Sequence, residues 1–201
     1  MQKIKSVFMR NYEGDHLVRN EVVPGCEWVL AGEGKATRKY DGTCCMVKGG
    51  RLYRRYDAKR GRVPPPTFVP AQEAPDEVTG HWPGWLPVDP ANKADQWHLL
   101  AWQRGDGSDN GVCIGDCLTD GTYELCGAHF QGNPEGIEEG DVFIRHGSVV
   151  LLGVPRTFEG IRDYLQDYDI EGIVFHRGNG DMAKIKRTDF GFEWNGKTRK
   201  R

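Results

Sequence analysis

The stretch Lys39-Tyr40-Asp41-Gly42-Thr43-Cys44-Cys45-Met46-Val47-Lys48-Gly49-Gly50-Arg51-Leu52-Tyr53-Arg54-Arg55-Tyr56 decides how the chain is read. Thr43 to Lys48 and Arg51 to Tyr56 carry Cys, Met, Val, Leu and Tyr, residue types that suit a pleated, half-buried surface. Gly49-Gly50 between them supplies the positive φ angles of a two-residue hairpin turn. A hairpin therefore opens directly behind Lys39, with Asp41-Gly42 as the turn that leads into it. Cys44 and Cys45 are adjacent and must face opposite sides of their strand.

Further along, Pro64-Pro65-Pro66, Pro70, Pro75, Pro83, Pro87 and Pro90 exclude a helix and predict an irregular loop or insertion with short edge strands. Trp97 to Gln103 and Thr122 to Cys126 read as strands, separated by a loop at Gly105 to Gly111. A helix is predicted from Thr157 to Tyr168, capped by Thr157, with Phe158, Ile161, Leu165 and Tyr168 on one face. Gly172 to His176 and Met182 to Lys186 read as two strands joined through Gly178-Asn179-Gly180-Asp181. The sum is an α+β class with mainly antiparallel sheets and few helices.

A chain of 201 residues with 38% hydrophobic content makes one domain, or one with a small appendage, whose core requires no disulfide or metal staple. The net charge of -2 gives no global attraction to nucleic acid, so any polyanion site must be a local patch. Arg51, Arg54, Arg55, Lys59, Arg60 and Arg62 supply one, with Tyr53 and Tyr56 among them as stacking rings. No signal segment opens the chain and no apolar run is long enough to cross a bilayer, so an intracellular, cytoplasmic protein is expected. Cys113 and Cys117 are too far apart for a zinc knuckle, and buried reduced thiols are expected instead. The six histidines are scattered, with no His-x-x-x-His pair.

Four positions carry chemistry: Lys39, Glu124 inside an apolar strand, Glu171 at the entry to Gly172-Ile173-Val174-Phe175, and Lys184-Ile185-Lys186, whose lysines share a strand face. Taken singly, each is equally well a solvated surface residue. Their order is more specific. A lysine, a strand glutamate, Glu-Gly-apolar-apolar and Lys-x-Lys resemble the layout of the covalent nucleotidyltransferases, which comprise DNA ligases, RNA ligases and mRNA capping enzymes. Asp41-Gly42-Thr43-Cys44-Cys45, Pro83-Gly84-Trp85-Leu86-Pro87-Val88, Trp97-His98, Gly132-Asn133-Pro134 and Glu171-Gly172-Ile173-Val174 are similar to the 5′-to-3′ ATP-dependent RNA ligase family known from vertebrates.

That resemblance implies a nucleotidyltransferase (ATP-grasp-like) catalytic domain spanning residues 1–201. Only Arg187 to Arg201 follow the last lysine pair, too few for a C-terminal oligonucleotide-binding domain. Lys39 would attack the α-phosphate of ATP, forming lysyl-AMP and then RNA-adenylate. RNA with 5′-phosphate and 3′-hydroxyl ends would be joined in RNA repair, by a monomer with no membrane partner. Making a free lysine neutral at pH 7 costs about 4.6 kcal/mol. Lys184 and Lys186 would lower that cost by repelling a third charge, and would hold the phosphates. Glu171 would hold Mg²⁺ or Mn²⁺ and Glu124 the ribose. Arg55, or Arg54, would grip ribose and a 5′-phosphate. Asp41 and Gly42 would shape the turn, and Phe130 would stack on adenine, with core packing as its alternative. Glu33, Lys35 and Arg38 are candidates for the adenine edge, Arg38 standing where the family pattern leads one to expect an acid. Two alternatives remain open: another polynucleotide nucleotidyltransferase (a DNA ligase or a GTP-using capping type), and a non-catalytic RNA- or nucleotide-binding module.

Overall fold

The computed structural model describes residues 3–77, 79–104, 106–107, 112–114 and 118–195. In chain order the elements are β1 (Lys5–Ser6), β2 (Phe8–Arg10), β3 (Val18–Val22), α1 (Glu27–Leu30), β4 (Lys35–Lys39), β5 (Thr43–Lys48), β6 (Arg51–Ala58) and β7 (Val69–Pro70). They continue with β8 (Trp82–Pro87), a 3-10 turn at Lys93–Asp95, α2 (Gln96–Gln103), β9 (Asp106–Gly107), β10 (Val112–Ile114), β11 (Gly121–Gly127) and β12 (Asp141–Arg145). Last come α3 (Phe158–Asp167), β13 (Gly172–His176), β14 (Met182–Lys186) and a 3-10 turn at Arg187–Phe190. The architecture is α+β, with mainly antiparallel sheets and few helices. It divides into a terminal unit, residues 4–40 and 147–201, and a central unit, residues 1–3 and 41–146. Among the described residues no helix is long and apolar enough to cross a membrane.

In the terminal unit the main sheet runs β1-β14-β13-β4, with β1 parallel to β14 and the other pairs antiparallel. Strand alternation sorts its residues. Ala36, Ile173, Phe175, Ala183 and Ile185 fall on one face and are buried against Trp28 and Val29 of α1 and Ile161 and Leu165 of α3. The other face carries Lys35, Thr37, Lys39, Lys184 and Lys186. β13 and β14 have the predicted bounds.

Helix α3 also forms as predicted, with Thr157 Oγ1 accepting the Gly160 N–H at 3.1 Å. At its other end Arg187 donates to the carbonyls of Leu165 at 2.5 Å and Tyr168 at 2.8 Å, groups that a helix end leaves without partners. Tyr168 does not join the buried face. The helix ends at Asp167, so extended backbone turns Tyr168 outward to stack on Tyr164 at 4.3 Å.

The central unit holds an antiparallel sheet of order β7-β8-β6-β5-β11-β12-β10-β9. Cys45, Val47, Leu52, Tyr123, Leu125 and Phe143 line its core face, closed over by Ala101 and Trp102 of α2 and by Leu118 and Phe130. The hairpin of β5 and β6 turns at Gly49-Gly50, with φ of 58° and 69°.

Two expectations change here. Trp97 to Gln103 is helical, because Asn92 Oδ1 takes the Ala94 N–H at 3.1 Å and starts the turn that runs into α2. His98 and Ala101 then face inward at helical spacing, which a largely apolar stretch conceals from a period reading. The proline-rich segment supplies a full strand, β8, paired along β6 from Trp82 to Pro87. Val88 donates to Leu52, so alternation aims the nitrogens of Pro83 and Pro87 away from β6, where a missing N–H breaks no bond to it. Of the loop predicted at Gly105 to Gly111 only β9 is described, and Cys117, the side chain of Cys113 and the basic end from Lys197 to Arg201 lie outside the described residues.

Leu165 has no exposed surface, whereas Leu152 is 86% exposed. Leu165→Ala should lower the unfolding free energy by about 2–5 kcal/mol. Leu152→Ala should change it by less than about 0.5 kcal/mol in the same urea titration.

Candidate active site

The terminal unit gathers three of the four positions that the sequence singled out for chemistry, Lys39, Glu171 and the Lys184-Ile185-Lys186 pair. Gly172 of β13 pairs with Lys39 of β4 on one side and with Lys186 of β14 on the other. Both lysines therefore stand in one row on one face, flanking a residue without a side chain. Glu171 comes immediately before, and its carboxylate is 3% exposed. Lys39 donates to its Oε2 and Lys186 to its Oε1, so each oxygen of a buried anion has a cationic partner. The Arg187 N–H on the Glu171 carbonyl, at 2.9 Å, pins the same peptide. A Cβ on Gly172 would run into the Ile185 carbonyl, so only glycine permits this close pairing.

One row along, Val174 stands between Thr37 and Lys184. Burial, then the charges of Lys39 and Lys186, pull the Lys184 amine down to about 8, while Glu171 and Asp189 oppose the shift. Asp189 anchors the end of β14. Its Oδ2 takes the Lys186 backbone N–H at 3.0 Å, and its Oδ1 takes Arg10 Nη2 at 2.8 Å. Sequence reading missed both Arg10 and Asp189, which only tertiary pairing connects. Of the adenine-edge candidates, Lys35 shares the Lys39 face, Arg38 lies on the opposite face with its guanidinium 4.6 Å from the Tyr40 ring, and Glu33 pairs with Arg177 at 2.7 Å.

A second set belongs to the central unit. Glu124 of β11 lies opposite Cys44 of β5. Its Oε1 accepts the Gly42 N–H at 3.2 Å, and its Oε2 lies 2.9 Å from His146 Nε2. Gly42 has no room for a Cβ, which would meet the Leu125 carbonyl and Cys126 Sγ. Glu135, which the sequence reading did not name, accepts the Asp41 N–H at 2.8 Å. It follows Gly132-Asn133-Pro134, where Asn133 has a φ of 54° and its side chain bonds both backbone groups of Ile137. The signal for Glu135 was that turn-forming stretch.

Arg55 shares the Glu124 face, bonded to Asp57 at 3.0 Å and lying over the Trp85 ring. Arg54 points the opposite way and forms an ion pair at 2.7 Å with buried Asp95, which gives it a structural task. The basic stretch is thus split between two sheet faces rather than forming one strip. Phe130 is packed into the core, edge-on to His98 at 5.1 Å, which favours its packing role over stacking on a nucleotide.

Comparison with known proteins bears on these two sets. The family model described as RNA ligase 1 matches residues 67–200. The chain belongs to the RNA ligase 1 family. RNA ligase 1 of Danio rerio is 34% identical over 143 residues, covering 60% of this chain and 43% of that protein. RNA ligase 1 of Rattus norvegicus is 28% identical over 225 aligned residues, covering 79% of this chain and 68% of that protein. The chain thus aligns with less than half of the first relative's length and about two thirds of the second's. The RNA ligase 1 family match takes in Glu124, Glu135, Glu171, Lys184, Lys186 and Asp189, and begins after Lys39.

Lys184 offers a direct check on the electrostatics of this lysine row. Nitrogen-15 NMR titration should place its midpoint near 8. Lys39→Met or Lys186→Met should raise that midpoint and Glu171→Gln should lower it, since each removes a charge of known sign. Its ordinary value is 10.5, so between pH 8 and 10.5 the unfolded chain binds the extra proton. The contribution of Lys184 to stability should therefore become more favourable as pH rises through that window, and Lys184→Met should remove the trend.

Proposed function

We propose that the chain is an ATP-dependent RNA ligase that joins a 5′-phosphate to a 3′-hydroxyl, with Lys39 carrying AMP between the steps. The observation that carries this reading is the Lys39 ammonium held on buried Glu171 beside Lys186, with Lys184 one row away. Membership of the RNA ligase 1 family supports RNA ends as the substrate.

Three lysines against one carboxylate leave surplus positive charge, which suits a triphosphate. Glu171 holds Lys39 in place, and the charges of Lys184 and Lys186 favour release of its proton. The neutral Lys39 amine attacks the α-phosphorus of ATP. A phosphorus–nitrogen bond forms as the bond to pyrophosphate breaks, and pyrophosphate leaves with the electron pair. A 5′-phosphate oxygen of RNA then attacks the same phosphorus and frees Lys39. The 3′-hydroxyl finally attacks the activated end, releasing AMP. Lys184 and Lys186 stabilise the charge that builds on the phosphate oxygens in each step.

Glu171 has hard carboxylate oxygens that already accept cations, which suits Mg²⁺ or Mn²⁺ bound through one carboxylate and substrate phosphates. Such an ion would polarise the α-phosphate as a Lewis acid. Glu124 is assigned to the ribose hydroxyls and Arg55 to ribose and the 5′-phosphate. Glu135 and Glu124, by holding the Asp41 and Gly42 N–H groups, fix the turn just beyond Lys39.

Intact mass spectrometry after incubation with Mg²⁺ and either ATP or GTP tests the reading. Wild type should gain AMP from ATP, gain nothing from GTP, and lose the adduct when 5′-phosphorylated RNA is added. Lys39→Ala should gain nothing, and an adduct on that variant would place the nucleophile elsewhere. Glu171→Ala should seal RNA at least about a hundredfold more slowly. Sealing at the wild-type rate would remove its assigned role.

A further inference from the structure

We propose that Cys44, Glu124 and His146 form a three-ligand site for a borderline transition-metal ion, with Zn²⁺ the best match. Their sulfur, carboxylate oxygen and imidazole nitrogen atoms lie within 4.8 Å of one another, and all three residues are half-buried. They come from neighbouring strands of the central sheet. Cys44 and Glu124 oppose each other across β5 and β11, while the residue after β12, His146, donates its N–H to Thr122 of β11.

Two of the three ligands are oriented from behind. The Nδ1 of His146 meets Thr122 Oγ1 at 3.0 Å, which turns Nε2 toward Glu124. The Gly42 N–H occupies Oε1 of Glu124 and leaves Oε2 facing the imidazole. Metal-binding histidines and carboxylates generally have such outer contacts, because these fix the ring and aim the lone pair. Thiolate sulfur, imidazole nitrogen and carboxylate oxygen are all zinc ligand types, and a three-ligand zinc site leaves its fourth position to water or substrate. Mg²⁺ prefers oxygen donors alone and is a poor match for the thiol. An imidazole–carboxylate hydrogen bond by itself needs no cysteine, so the thiol in the same cluster is what singles out a metal. On binding, the Cys44 thiol gives up its proton to solvent and ligates as thiolate.

Expectations from spacing considered only cysteine and histidine pairs close in sequence. Here Glu124 and His146 are 22 residues apart and Cys44 lies on a different hairpin, so the cluster has no local signature. The inference shares Glu124 with the proposed ribose contact, but its readout is metal binding rather than activity, so either reading can fail without the other.

Titration of the full chain with Co²⁺, a spectroscopic stand-in, tests it. Wild type should bind a single equivalent with a thiolate-to-cobalt charge-transfer band, and Zn²⁺ should bleach that band. Cys44→Ser should abolish the band, His146→Gln should weaken binding by about tenfold or more, and Thr122→Val should weaken it about tenfold. No band in wild type, a band that survives Cys44→Ser, or a band lost instead in Cys113→Ser or Cys117→Ser would each overturn the proposal. Should circular dichroism show Cys44→Ser unfolded, His146→Gln and Thr122→Val decide, and unchanged Co²⁺ affinity in both rejects the site.

Discussion

A carboxylate buried without compensation is among the costliest groups a small protein can contain, and Glu171 is nearly fully buried. The terminal unit is arranged so that this anion is satisfied. One oxygen receives Lys39 and the other Lys186, from strands on either side of the glycine that follows it. Losing either lysine would leave an oxygen without a cation, so the pair is held by the energetics of burial as well as by any reaction. The supports are of the same kind. Asp189, also buried, ties the Lys186 backbone to Arg10, and Arg187 next door closes the end of α3. Core, helix end and lysine row thus share one short stretch of chain.

Both units use strand alternation to separate packing from chemistry. In β14, Ala183 and Ile185 enter the core while Lys184 and Lys186 face the other way. In β11, Tyr123 and Leu125 are buried while Glu124 stands with Cys44 on the opposite face. The Asp41-Gly42 turn is held through its backbone N–H groups by two glutamates, Glu135 on Asp41 and Glu124 on Gly42. A sequence motif is thereby tied to residues far along the chain. Glu124 is the meeting point of two proposals, one as a nucleotide contact and one as a metal ligand; its Oε1 accepts the Gly42 N–H and its Oε2 faces His146.

Some elements were legible because local physics determines them. The hairpin at Gly49-Gly50, the Thr157 cap and the Lys184-x-Lys186 alternation each follow from backbone rules acting over a few residues. Others were misread where local rules compete. Gln96–Gln103 is mostly apolar, so neither period stands out, and the Asn92 cap on the 3-10 turn before it was the better guide. Pro83 and Pro87 argue against a strand unless one knows which neighbour their nitrogens face. Phe130 and Arg54 show the same limit for side chains. An aromatic ring and a guanidinium suit a nucleotide site or a core equally well, and only the fold shows Phe130 against His98 and Arg54 on Asp95.

By itself the sequence determined the α+β class, the hairpins and the identity and order of the candidate lysines and glutamates, because side-chain type and strand period are written locally. Only tertiary structure decided that Lys39 ends a strand paired to Gly172, that Arg10 and Asp189 steady Lys186, and that Cys44, Glu124 and His146 converge. Those facts depend on which strands become neighbours. Long-range pairing is chosen by the burial of whole sheet faces, and no short stretch of chain encodes it.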